Sequence, residues 1–230
     1  IDLLRKQIDS QPRTSDGGFW HKKRYPHQMW LDGLFMAEPF YAAYTQTYVD
    51  GEEAQKAYDD IVHQFDLIQE HNYDAETGLL YHGWDESKEQ IWADEETGTS
   101  PNFWSRAMGW YGMALVDVLD YLPEDYEGRT RLITYLNQFA EAIAKVQDEE
   151  TGLWYQVLDQ GDREGNYLEA TGSSMFAYTL AKGVNDGYLP EKYLDVAKKA
   201  FRGITENLIS IEENGVINLN QCCAVAGLSA

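Results

Sequence analysis

The feature that most constrains the fold of this chain is the alternation of two kinds of helical segment. Three amphipathic segments carry charged outer faces, and three other segments, roughly 31–49, 103–121 and 171–184, are rich in small and aromatic residues and nearly uncharged on every side. Such uncharged helices are typical of a buried layer. The apolar face of the amphipathic segments consists of Ala54, Tyr58, Ile61, Phe65 and Ile68; Leu132, Leu136, Phe139, Ile143 and Val146; and Leu194, Ala197, Phe201, Ile204 and Leu208.

Similar loops follow the charged segments. The stretches "YDAETGLLYHG" (73–83), "QDEETGLWYQV" (147–157) and "IEENGVINLNQ" (211–221) each place acidic residues before a glycine and an alternating apolar pair. This order predicts a turn and a short strand after each outer helix. The whole unit recurs at intervals of roughly 60 to 75 residues. Within the first buried segment, Pro39 predicts a kink or a late helix start.

Helical hairpins that bury one layer of helices inside another predict an all-α fold, an (α/α)6 barrel or α/α toroid, in which the loops before the inner helices surround a central cavity. A linear helical solenoid is the alternative, although its repeats are usually shorter. Because the chain holds only about three such hairpins, we expect a partial ring. We expect residues 1–230 to form a single α/α-toroid domain that is a fragment of a longer catalytic domain.

The acidic composition limits the possible partners. With 39 acidic and 18 basic residues the formal net charge is −21, which argues against nucleic-acid and anionic-membrane partners because both require a basic surface. The adjacent Cys222 and Cys223 cannot form an ordinary disulfide with each other, which favours a reducing compartment or a protein that is indifferent to redox conditions. No signal peptide or membrane span is recognisable. We expect a cytoplasmic location, with the periplasm as the alternative, and the sequence does not predict an oligomeric state.

The exception to the acidic composition is "FWHKKRYPHQMWLDGLFMAEPF" at residues 19–40, where three basic residues lie among aromatic side chains and Asp32 follows in an apolar run. Both features have a structural interpretation, since charge runs usually face solvent and an Asp near a helix start satisfies free backbone N–H groups. The functional alternative is an anion pocket. In such a pocket apolar burial would raise the pKa of Asp32, which could then act as a general acid and afterwards as a base.

Two further side chains are candidates for substrate contacts. Arg106 lies between Trp104 and Trp110 at the start of a buried helix, where a guanidinium can stack on a ring and hold a carboxylate through two hydrogen bonds. His82 lies in a short predicted strand, a position more typical of a buried structural histidine. Zinc-ligand spacing, phosphate-binding glycine loops and a G-x-S-x-G motif are not found, so we expect neither metal nor cofactor.

Taken together, the stretch at 19–40, "YHGWDES" and "SPNFWSRAMGWYGMALVDVLDYLP" resemble the unsaturated rhamnogalacturonyl hydrolases of glycoside hydrolase family 105, relatives of the family 88 unsaturated glucuronyl hydrolases. The resemblance runs through most of the chain and is strongest over residues 17–122. It implies an (α/α)6 barrel acting on oligosaccharides that polysaccharide lyases leave with a 4,5-unsaturated uronic acid at the non-reducing end. In the implied chemistry an Asp protonates C4, water adds at C5, and the hemiketal opens with loss of the glycosidic bond.

The resemblance also implies roles for individual residues. Asp32 of the MWLDG motif matches the catalytic acid/base of the family. The residues that match substrate-binding positions are His21, Lys22, Trp30, His82, Arg106 and Trp110. Family members carry a further pocket Asp upstream, for which this chain has no counterpart, and Asp94 in "QIWADEETG" is a candidate substitute. The implied partner is a small anionic oligosaccharide, from which a 4,5-unsaturated galacturonic acid is removed without a metal.

Three other functions remain open from the sequence. An unsaturated glucuronyl hydrolase would differ in the sugar at the next subsite. An ordinary inverting glycosidase would need a second carboxylate roughly 6.5–9.5 Å from Asp32, with room for a water molecule between them. A non-catalytic sugar-binding module would use the same pocket without turnover.

Overall fold

The computed structural model describes residues 1–228. They contain seven α-helices, one π-helical turn and four short strands, which are joined by loops. In chain order the elements are α1 (Asp2–Asp9), β1 (Gln28–Trp30), α2 (Leu31–Tyr48), α3 (Gly51–Asn72), β2 (Gly83–Asp85), α4 (Ser105–Leu119), α5 (Glu127–Lys145), α6 (Ala170–Asn185), α7 (Lys192–Gly203), the π-helical turn Ile204–Leu208, β3 (Ile209–Ile211) and β4 (Ile217–Leu219).

Helices α2, α4 and α6 are the three uncharged segments, and they pack side by side with α4 between the other two. Helices α3, α5 and α7 are the charged segments, and α3 and α7 pack against α2 and α6 respectively. The predicted alternation of inner and outer helices is therefore confirmed. Helix α2 begins at Leu31 and continues through Pro39, so the predicted late start is wrong. One large hydrophobic cluster draws residues from all of α2 to α7.

The outer helices bury most of the predicted apolar faces, with a clear exception in α7. Phe201 is 65% exposed, whereas Tyr193, Ala197 and Ala200 are buried. The reason lies at Gly203, where an added Cβ would stand 2.2 Å from the carbonyl oxygen of Thr151. Small residues on this side allow α7 to approach the neighbouring loop closely, and the helix therefore turns Phe201 away from the core.

The predicted turns after the outer helices are present and share a local hydrogen-bond pattern. Asp74 accepts from the backbone N–H of Thr77 at 2.9 Å and from its hydroxyl at 2.6 Å, and Gly78 follows with φ +78°. The same Asp-to-Thr contacts recur at 94–97 and 148–151. A glycine is needed after each Thr because the backbone there is left-handed. The third predicted loop forms the β3–β4 hairpin.

The antiparallel pairing of β1 with β2 positions the candidate site. Trp30 pairs with Gly83, and the backbone N–H of Leu31 donates to the carbonyl oxygen of His82 at 3.0 Å. The strand pair thereby places the loop after α3 against the first turn of α2. Across residues 1–228, no helix is long and apolar enough to cross a membrane.

Candidate active site

The centre of the candidate site is a pair formed by Asp32 and His82. Asp32 lies in the first turn of α2, and its Oδ2 atom is 2.9 Å from Nε2 of His82. The side chain of Asp32 is 17% exposed and that of His82 is 4% exposed. The carboxylate can therefore be reached from solvent, whereas the imidazole is enclosed.

The electrostatics of Asp32 differ from the sequence-based expectation. Burial acts to raise the pKa of its carboxyl group, but the hydrogen bond and charge of His82 and the charge of His21 lower it, and the net shift is downward. The predicted raised pKa was therefore wrong. The prediction considered the apolar walls next to Asp32 in the sequence, whereas the decisive partner, His82, lies immediately before β2, fifty residues away along the chain.

An aromatic wall stands beside this pair. The ring of His21 stacks on Trp30 with centroids 4.4 Å apart and planes at 10°, and Tyr25 stacks on the same tryptophan at 5.1 Å. Burial lowers the pKa of His21 to about 4, so this imidazole is neutral at neutral pH. The Trp30 Nε1–H group donates to Oε1 of Gln28 at 3.0 Å, and this hydrogen bond together with the two stacked rings fixes the orientation of the buried Trp30 side chain.

Tryptophan rings also enclose His82. Trp30 meets its imidazole edge-on with centroids 5.0 Å apart, and Trp104 lies 4.8 Å away at a tilt of 50°. Trp104 in turn carries the guanidinium of Arg106, whose Cζ is 4.8 Å from the ring centroid. Arg106 is therefore connected to the Asp32–His82 pair through a single aromatic ring.

Other predicted site residues lie farther from the pair. Arg106 donates to the carbonyl oxygen of Cys223. Lys22 is exposed, with Nζ 5.8 Å from the Tyr25 ring centroid, and its charge acts on His21. Trp110 packs on Phe35 of α2 at 4.8 Å. The structure thus brings His21, Trp30 and His82 around Asp32, connects Arg106 through Trp104, and leaves Lys22 at the rim.

The candidate second carboxylate, Asp94, is engaged in its own turn. Its Oδ1 atom accepts from the backbone N–H groups of Glu96 and Thr97 and from the Thr97 hydroxyl. The side chain is exposed, and these hydrogen bonds lower the pKa of the carboxyl group, with the Thr97 N–H as the largest cause. Asp94 therefore has a structural role as a loop cap.

Glu38 was missed by the sequence analysis. It is 1% exposed, its Oε2 atom has no hydrogen-bond partner within the described part of the chain, and burial raises the pKa of its carboxyl group well above the ordinary range. Glu38 borders a cavity of about 570 Å³ that also touches His21 and Trp30. The available indication was a lone Glu in an otherwise uncharged inner helix.

Metal binding has little support from the residues at this site. Between residues 1 and 228, no three or more His, Cys, Asp or Glu side chains are grouped so that they could hold a metal ion. Both cysteines are free thiols, Cys222 exposed and Cys223 buried. The chemistry available at Asp32 is that of a carboxylate and its imidazole partner.

Comparison with known proteins shows the family. The family model described as Glycosyl Hydrolase Family 88 matches residues 1–230. The chain belongs to glycoside hydrolase family 88. The structure of a family 105 glycoside hydrolase from C. acetobutylicum is similar with a TM-score of 0.95 and 52% identity, over 100% of this chain and 62% of that one. The resemblance to families 105 and 88 and the helical toroid fold are therefore confirmed.

Curated relatives of this family 88 chain include proteins of similar and of greater length. Protein Atu3128 of Agrobacterium fabrum is 37% identical over 84% of this chain and 82% of its own. The unsaturated 3S-rhamnoglycuronyl hydrolase of Formosa agariphila is 30% identical over 77% of this chain and 46% of its own. The unsaturated rhamnogalacturonyl hydrolase YesR of Bacillus subtilis is 26% identical over 94% of this chain and 58% of its own. The chain thus spans about half the length of these two hydrolases.

Proposed function

We propose that this family 88 protein removes a 4,5-unsaturated galacturonic acid from the non-reducing end of lyase-generated rhamnogalacturonan oligosaccharides by hydrating the double bond. The observation that carries the proposal is Asp32, a partly exposed carboxylate hydrogen-bonded to a buried imidazole beside stacked aromatic rings. Two relatives, an unsaturated rhamnogalacturonyl hydrolase and an unsaturated 3S-rhamnoglycuronyl hydrolase, support the substrate class by their names.

In the proposed mechanism Asp32 is the general acid and then the general base. It delivers a proton to C4 of the double bond, and a water molecule adds to C5 and gives a proton back to the same carboxylate. The resulting hemiketal opens and the glycosidic bond is lost. Trp30 and His21 form an aromatic wall on which a flat unsaturated ring can stack.

Two cationic side chains near the pair are complementary in charge to the carboxylate of the proposed substrate. Arg106 rests on Trp104 at one side of the pair, and Lys22 lies at the exposed rim. A guanidinium can hold a carboxylate through two parallel hydrogen bonds, which fixes its orientation. We propose that Arg106 and Lys22 bind the uronate carboxylate and that Trp110, which packs on Phe35 and lies one turn after Arg106 on α4, contacts the same sugar.

Aglycone preference separates the proposed function from its nearest rival. Elimination across C4 and C5 removes the stereocentre by which galacturonic and glucuronic acids differ, so both give the same unsaturated ring. An unsaturated glucuronyl hydrolase would therefore differ only in what it accepts at the neighbouring subsite. The rhamnose named in both relatives favours a rhamnosyl aglycone.

Asp32→Asn tests the proposal directly. We expect the parent to consume the ultraviolet absorbance of the conjugated double bond in an unsaturated galacturonyl-rhamnose disaccharide. The variant should lose roughly 10²- to 10⁴-fold in rate, because its amide cannot exchange the proton, while binding persists. The matched control is Asp94→Asn, which keeps its loop-capping oxygen and should retain the parent rate.

The alternatives give different results in the same assay. A conventional inverting glycosidase would cleave saturated nitrophenyl glycosides, and a sugar-binding module would bind the disaccharide while its absorbance stays constant. A preference for unsaturated glucuronyl disaccharides without rhamnose would establish the glucuronyl alternative. Near-normal turnover by Asp32→Asn would rule out this carboxylate as the acid.

A further inference from the structure

We infer that His82 is a positioning residue that stores the proton Asp32 gives to the substrate, so that the two side chains act as one acid–base pair. The inference rests on the proposed function. It assigns to His82 a role different from the direct sugar contact that the family resemblance implies. The evidence is the geometry of the pair, the enclosure of the imidazole and the proton balance of the reaction.

Two independent contacts hold the pair together. The Leu31 N–H group donates to the carbonyl oxygen of His82 at 3.0 Å, and this fixes the backbone on both sides of the pair. The second is the side-chain contact from His82 Nε2 to Asp32 Oδ2 at 2.9 Å. An ionised carboxylate can only accept, so Nε2 carries the proton in this contact.

The imidazole of His82 is enclosed, and in the proposed complex Asp32 lies between it and the substrate. Trp30 and Trp104 pack against the His82 ring, and the side chain is 4% exposed. In the part of the chain that the structure describes, its one side-chain hydrogen bond is that to Asp32. Asp32 is the more exposed member of the pair, so the carboxylate faces the substrate and the imidazole lies behind it.

The proton balance of the reaction is satisfied when His82 holds the proton. His82 lowers the pKa of the Asp32 carboxyl, so the carboxylate alone is ionised at neutral pH and has no proton to donate. When the imidazole is protonated, its Nε2 proton moves to the carboxylate, and the carboxylate passes that proton on to C4. Water then adds its oxygen to C5 and loses one proton to the carboxylate, from which the imidazole takes it back. One water is consumed, and the pair returns to its starting charge.

The charged groups around the pair are compatible with this role. Asp32 of α2 supplies the anion, and His21, before β1, is neutral above its pKa of about 4. Arg106 of α4 is separated from His82 by the Trp104 ring. Lys22 acts on His21 and lies at the rim. Asp32 is therefore the charged group bonded to the imidazole.

His82→Gln tests the role through the pH profile. The glutamine amide can still donate to Asp32 but cannot take up a proton. We expect kcat at neutral pH to fall about 100-fold, KM to change little, and activity to recover as the pH is lowered toward protonation of Asp32 itself. His63→Gln is the control, because His63 contacts a backbone carbonyl oxygen, that of Asp16, and should keep the parent profile.

Two results in this experiment would overturn the inference. A raised KM with unchanged kcat would indicate the direct sugar contact, and a pH-independent loss of kcat would indicate a structural role. If instead the parent itself leaves the disaccharide intact, the proposed function fails. The two failures are therefore distinguishable.

A second measurement uses the protein without substrate. The ¹⁵N shifts of the His82 ring should show a protonated Nε2 and should change in Asp32→Asn, because Nε2 donates to Oδ2 of Asp32. Ring shifts that are the same in the parent and in Asp32→Asn would contradict the pair. This result does not depend on whether the His82→Gln variant folds.

Discussion

Arg106 could act in substrate binding or in stabilising the fold, and a substitution at this residue separates the two roles. It stacks on Trp104 and donates to the carbonyl oxygen of Cys223. We expect Arg106→Gln to raise KM for the unsaturated disaccharide roughly 10- to 100-fold, since hydrogen bonds to charged groups contribute about 1.5–3 kcal/mol. The melting temperature should change little in comparison with KM, because the Arg106 side chain is only partly buried. Steady-state kinetics and a melting curve measure both effects.

Arg129 supplies the matched control for this substitution. It also donates to backbone carbonyl oxygens, those of Leu119 and Leu122, and lies over the ring of Tyr188. Arg129→Gln should lower Tm and leave KM unchanged. If Arg106→Gln shows that same pattern, Arg106 is a structural residue.

Glu38 predicts a specific pH dependence of stability. Its pKa is raised above the ordinary 4.5 by burial and by the charge of Asp60, so the folded state binds more protons than the unfolded state. Stability is then lost as pH rises above that value. Glu38→Gln removes the loss, and its Tm should exceed that of the parent at neutral pH by roughly 2–4 °C per kcal/mol.

Below about pH 4 the parent and Glu38→Gln should converge, because the unfolded carboxyl is then protonated too. Glu53→Gln is the control, since Glu53 is exposed on α3 and pairs with Lys56, and it should not show this gain at neutral pH. Parallel Tm-against-pH curves for Glu38→Gln and the parent would contradict the assignment of a neutral buried carboxyl.

At the scale of elements, glycines determine how closely the helices approach one another. An added Cβ at Gly112 of α4 would stand 2.5 Å from Phe139 of α5, whereas at Gly33 of α2 the nearest atom is His21 Nδ1 at 3.5 Å. We expect Gly112→Ala to destabilise the fold by about 1–3 kcal/mol through overpacking. Gly33→Ala should stabilise it by up to ~1 kcal/mol through helix propensity.

Chemical denaturation of both variants measures this contrast. The two substitutions remove the same backbone freedom from inner helices, so their difference isolates the steric contact with Phe139. Equal stabilisation by both would mean that α4 and α5 can separate without cost.

Elements were predictable from the sequence where periodicity records burial. The uncharged segments correspond to α2, α4 and α6, because burial restricts residue type to apolar and small side chains. The glycine-marked segments correspond to turns, because a left-handed backbone favours glycine. Strand β1 was not predicted, since three residues carry no periodic pattern. Phe201 was misplaced because α7 packs through small residues instead.

At the scale of the whole molecule, the site was less predictable than the fold. Asp32 was found through its motif and its unusual position in an apolar run. The direction of its pKa shift depends on His82, and no local pattern indicates that these two residues meet. The single-domain and fragment interpretation stays a prediction, although one hydrophobic cluster connecting α2 to α7 supports a single domain.

The β1–β2 pairing has a consequence for the order in which this molecule is made. Helical hairpins form from neighbouring residues, whereas Asp32 and His82 meet only after a loop of fifty residues has closed. Such non-local contacts are acquired slowly during folding. A nascent chain that has already formed α2 and α3 therefore still lacks the Asp32–His82 contact, and the proposed acid–base chemistry becomes possible only when β2 has left the ribosome and paired with β1.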